Sequence, residues 1–136
     1  MGAKMLSTDK HCELLDTNIR DKIATIYASF RLFIQLFSAI IGGSIALYLQ
    51  GDGKIPPSFA LLANALAALV VITCGVMIVD AQFSWRRFRL KLSEVAPEIP
   101  PPLSLIRSSR TVGAMLLVMI LALALFVRFN PLQGTN

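Results

Sequence analysis

A single histidine, His11, and two cysteines, Cys12 and Cys74, are all the imidazole and thiolate ligands the chain could offer a metal. One His beside one Cys does not make a four-ligand zinc site. With no histidine in any apolar run, a haem or chlorin lacks its usual imidazole ligand. The chain also lacks a Ser-His-Asp set, a glycine-rich phosphate loop and paired carboxylates inside an apolar run. No catalytic, cofactor-binding or metal-ligating residue is nominated, and an enzyme is not expected. Bound lipid, or a pigment packed by contact, is the small-molecule partner such a chain can take. Cys12 and Cys74 fall in reducing or apolar surroundings far apart along the fold, so no disulfide is expected.

Charge is also scarce. Only 15% of the 136 residues are charged and 55% are hydrophobic, and the apolar residues gather into runs. Ile55 to Val79 contains no charge, and neither do Leu32 to Gly51 nor Thr111 to Val127. About 20 apolar residues at 1.5 Å rise cross a hydrocarbon core of roughly 30 Å, so each run is long enough, or nearly so, to be a membrane span. The spans leave no room for a separate soluble domain. The predicted fold is an all-α integral membrane protein of three transmembrane helices, the first two an antiparallel hairpin, with a helical cytoplasmic N-terminal extension. The expected boundaries are 1–28 for an amphipathic cytoplasmic helix, 29–50, 57–85 and 110–129 for the spans, 86–109 for a basic and Pro-rich cytoplasmic loop, and 130–136 for an outer tail.

The start of the chain carries charges throughout and no cleavage pattern, so span one reads as a retained helix. Leu6 stands where N-myristoylation wants Ser or Thr. Ser7, Thr8 and Asp9 are good caps and predict a helix from about Asp9. Apolar residues then recur by threes and fours at Leu15, Ile19, Ile23, Ile26, Phe30, Phe33 and Phe37 without a break at the membrane boundary. This pattern reads as one helix running into the membrane, with an interfacial helix bent near Ala28 as the alternative. Asp16 and Arg20 are spaced to pair one turn apart.

Orientation follows from the thirteen basic residues. Five precede span one and six lie between spans two and three, with only Lys54 and Arg128 on the other side. By the positive-inside bias the N-terminus and the 80–110 segment are cytoplasmic and the C-terminus is outside, as in a bacterial inner membrane. The net charge of +5 is accounted for by this bias, and no nucleic-acid partner is expected.

Several side chains are singled out. Ser38, Gly42 and Ala46 on span one, with Ala39 and Gly43 alongside, form small-residue rows that let helix backbones approach closely. Ala60, Ala67 and Cys74, with Ala63 and Gly75, form the corresponding row on span two. Asn64, level with Gly43 and Ser44 by counting from the turn, is positioned to hydrogen-bond across the hairpin. Arg31 and Asp80 flank the apolar runs at equal depth, and an ion pair across the hairpin mouth is the simplest expectation. A proton-relay role for Asp80 would want a deeper carboxylate with polar companions. Trp85, Arg86, Arg87, Arg89 and Lys91 place an aromatic and four cations at headgroup depth, where they attract anionic lipid. The Pro97 to Pro102 segment reads as an extended spacer. Span three, oily and poor in small or polar residues, is expected to be loosely packed or lipid-facing.

The function expected from these features is a non-catalytic accessory subunit of a larger membrane complex, such as a respiratory or photosynthetic one, binding partner transmembrane subunits and anionic lipids. Two alternatives remain at this level. One is a membrane-perturbing or pore-forming effector of a defence or lysis system, and the other is a small transporter or channel component. A three-span lysis protein commonly has the opposite topology, and a transporter wants broken helices and midplane polar groups.

Overall fold

The computed structural model describes residues 2–51, 56–95, 104–130 and 132. It is all-helical, with α1 (Gly2–Gln50), α2 (Pro57–Val95) and α3 (Ser104–Phe129). All three contain stretches long and apolar enough to cross a membrane, spanning Glu13–Gln50, Pro57–Lys91 and Ser109–Phe129.

α2 and α3 are longer than their expected segments, and α1 starts ahead of its expected cap. α1 begins at Gly2 rather than near Asp9 and runs unbroken through Ala28, because Ala3, Lys4, Met5 and Leu6 are good helix formers. Past Trp85, α2 continues for ten residues through the basic cluster, so Arg86, Arg87, Arg89 and Lys91 stand on a helix and not in a loop. Arg, Lys and Leu sustain a helix, and no Gly or Pro intervenes until Pro97. α3 likewise starts at Ser104, ahead of the expected 110. The Pro-rich spacer and most of the outer tail lie outside the described residues. At the first connection, Gly51 N–H donates to the Leu47 carbonyl at 3.0 Å and closes α1; Phe59 N–H donates to the Pro56 carbonyl at 3.0 Å and opens α2.

The core has a seven-residue period on all three helices. α1 buries Ile19, Ile26 and Phe33; α2 buries Ala60, Ala67, Cys74 and Ala81; α3 buries Val112, Met119 and Phe126. A period of seven keeps a seam facing its neighbour when helices cross at a shallow angle, as in coiled coils. The seam is asymmetric in size. α1 supplies aromatic rings, with Phe33 and Phe37 stacked at 5.2 Å, while α2 supplies small residues that make room for them. α1 and α2 share the most extensive contact.

α3 is attached at three levels. At one end of the bundle Arg86 Nη2 donates to Ser109 Oγ at 3.2 Å. Further along, Phe126 meets Phe37 edge to face at 5.7 Å. At the other end Asn130 Nδ2 donates to Asn64 Oδ1 at 2.8 Å. α3 nevertheless meets its neighbours less extensively than α1 and α2 meet each other: it buries the seven-residue row of Val112, Met119 and Phe126 and leaves Leu117, Ile120, Leu121 and Leu125 exposed.

Only 17%, 22% and 22% of the apolar windows of the three helices are buried within the chain. The remainder includes Leu61, Ile72, Ile120 and Leu125, all more than half exposed. An apolar surface this continuous is far larger than a soluble monomer presents to water, so it calls for lipid or partner helices.

Candidate helix-docking and lipid-facing sites

The two small-residue rows have different fates. Ala60, Ala67 and Cys74 are buried inside the chain, in the seam that receives the α1 rings. Ser38, Gly42 and Ala46 are exposed, as is Gly43. A side chain built on Gly42 or Gly43 would meet nothing within 4 Å. The rows therefore do not pack on each other: the buried α1 face is the one carrying Phe33 and Phe37, and Ser38 and Gly42 turn away from it.

Asn64 finds a different partner from the one expected. Its amide oxygen accepts from Asn130 at the end of α3, and the Asn130 oxygen in turn accepts from Leu132 N–H at 3.1 Å. The position level with it on α1, Ser44, satisfies its hydroxyl by donating to the Ile40 carbonyl one turn back at 2.8 Å. Asn64 thus ties α2 to α3 instead of α1. Asn130 and Leu132, both buried, were not nominated from the sequence.

Arg31 and Asp80 do not pair within the chain. Both are exposed, and Asp80 lines a groove between α2 and α3 with Gly75, Val76, Leu116 and Met119. Asp80 precedes the buried Ala81 by one residue, which turns it about 100° around the helix from the seam. Among the described residues the salt bridge that does form is Arg20–Asp16, at 3.0 Å and exposed on both sides, and a pair of that kind contributes a few tenths of a kcal/mol.

The basic end is partly built into the core. Trp85 is only 2% exposed, so it is a packing residue and not a free headgroup anchor. It falls in register with Ile78 and Ala81, both buried. Arg89 lies over its ring at 5.1 Å, a cation–π contact of about 0.5–2 kcal/mol. Arg86 is occupied with Ser109. Arg87 and Lys91 are exposed and remain available to a charged surface. Tyr27, Trp85, Arg89 and Thr111 line a cavity of about 170 Å³ where the three helices converge. Near it, Gln82 Oε1 and Trp85 Nε1 are buried without a hydrogen-bond partner.

Among the described residues no group of three or more His, Cys, Asp or Glu comes together. Cys74 is a free buried thiol. Comparison with protein-family models, curated proteins and solved structures gives no match, so the reading of these faces rests on their geometry.

Proposed function

We propose that the chain is a non-catalytic accessory subunit of a larger membrane protein complex, acting by binding other transmembrane helices. The observation that carries this is the α1 face of Ser38, Gly42 and Ala46: it is exposed, and Gly42 and Gly43 have open space where a side chain would stand. Internal packing does not use this face. Small residues there give a partner helix close van der Waals contact, which is what drives association when lipid removes the hydrophobic gain.

In this reading the three helices insert with α1 and α2 as an antiparallel hairpin, the N-terminus in the cytoplasm and the C-terminus outside, in a bacterial inner membrane. The basic bias supports that orientation. Arg87 and Lys91 then meet anionic headgroups, each contributing about 1 kcal/mol near the surface. Thiol labelling of intact cells checks the topology. In a Cys12→Ser/Cys74→Ala background, a Ser7→Cys probe should be shielded from an impermeant reagent and a Gly134→Cys probe should react. The reverse pattern would overturn the orientation.

Gly42→Leu tests the function. Gly42 is exposed and a Cβ there meets nothing within 4 Å, so the effect on stability should stay within about 0.5 kcal/mol, while co-purification of partner membrane proteins falls at least several-fold. Undiminished co-purification sinks the reading. So does leakage of liposomes caused by the purified wild type alone, which would favour the pore-forming alternative.

A further inference from the structure

Arg31 and Asp80 are both charged, both exposed and both at the edge of the apolar runs, where a charge without a counter-ion is costly. They point to different sides of the bundle. On α1, Arg31 shares its face with Gln35, Ser38, Gly42 and Ala46, all exposed; at 100° per residue these five fall within about 80° of arc. On the other side, Asp80 closes one end of a groove of about 410 Å³ between α2 and α3 that is otherwise lined by apolar side chains. Gly75 is one of its lining residues, and a side chain there would stand 3.8 Å from Leu116.

We propose that the groove receives α1 of a second copy of this chain, with Arg31 of one copy paired to Asp80 of the next. The proposal rests on the reading that the α1 face binds a transmembrane helix, and it names that helix's owner.

Height, sign and face all agree. Ile23, Ile26 and Tyr27 line one cavity with Trp85 and Arg89, which puts α1 and α2 in a register where Arg31 and Asp80 are level. Two copies with the same membrane orientation therefore present the cation and the carboxylate at one depth. From that pair, Gly42 is about 16 Å up α1 and Val71 about 14 Å up α2 at 1.5 Å per residue. The small residues of one copy thus run alongside the whole groove of the other. Close approach is permitted there because Ser38 and Gly42 carry almost no side chain. Each copy offers a face and a groove that differ, so the contact is head-to-tail and closes into a ring or continues.

Charge reversal in differently tagged, co-expressed copies gives the test. Wild-type copies should capture one another from a mild detergent extract. Arg31→Glu should capture its own kind about tenfold less, as should Asp80→Lys, because like charges then face each other. Arg31→Glu and Asp80→Lys together should capture each other near the wild-type level, which an ion pair within one chain would not produce. A second measurement leaves the charges alone. With Cys12→Ser and Cys74→Ala as background, a Gln35→Cys copy and a Val76→Cys copy should form an intermolecular disulfide, while a Gln35→Cys copy alone should not. Wild-type copies that do not capture one another, mixed reversals that capture no better than either alone, or no disulfide between the two cysteine copies would each overturn the proposal. If the wild type is a monomer while Gly42→Leu still strips other membrane proteins from it, the self-association fails and the partner-binding function stands.

Discussion

Ala67→Leu is expected to destabilise the three-helix bundle by about 1–3 kcal/mol and to lower its melting temperature in detergent by several degrees. Ala67 is fully buried at 0% exposure, in the cluster that includes Phe33, Phe37 and Cys74. Three added carbons at a position with no exposed surface crowd the cluster, so a neighbouring side chain must shift or α2 must move off α1. The same kind of change at the exposed Gly42, where a Cβ meets nothing within 4 Å, should leave the melt where it is. The chain's one tryptophan makes the measurement direct, since Trp85 is buried and its emission should shift as the helices part. If Ala67→Leu melts with the wild type, α2 does not meet α1 through its small-residue row.

That contrast shows where sequence reading ends for a chain of this kind. The existence of three long helices follows from uncharged runs, and the structure has them. Both small-residue rows are also visible, as spacings of three, four and seven. Which row is inside is not visible, because a membrane helix is apolar on every side and hydropathy no longer marks the core. The available clue lay in size: Phe33 and Phe37 on α1 need small residues opposite them, and Ala60, Ala67 and Cys74 supply them, with Ala81 as the next member of the series. The row Val112, Met119 and Phe126 was hidden for the same reason, amid neighbours just as oily. Trp85 read as an interfacial aromatic because cations follow it, yet its phase with Ile78 and Ala81 sends it inward. The expected pairing of Asp80 failed on azimuth. Depth comes from counting residues. Azimuth requires knowing which face is the seam.

Removing the Asn130 side chain is expected to cost more than its size suggests, because two polar ties depend on it. Its Nδ2 donates to Asn64 Oδ1 at 2.8 Å and its Oδ1 accepts from Leu132 N–H at 3.1 Å, so one side chain joins α3 to α2 and also holds the turn that follows α3. Asn130→Ala removes both of these bonds and takes from the Asn64 oxygen its donor, a loss of about 1–3 kcal/mol. Asn64→Ala removes only the first bond, and interhelical hydrogen bonds in membranes average about 0.6 kcal/mol, so it should cost less. A double-mutant cycle by denaturing-detergent titration separates the two. A coupling term of about 0.5–2 kcal/mol is expected, since the second substitution has no bond left to break. Fully additive losses would mean that the amides do not bond in the folded protein. The location of the damage is a second readout: backbone hydrogen exchange should accelerate at the C-terminal end of α3, around Phe126, and leave the Ala67 to Ile78 seam unchanged. The reason is that α3 would still be attached by Arg86 to Ser109 at its far end while losing its fastening beside Asn64.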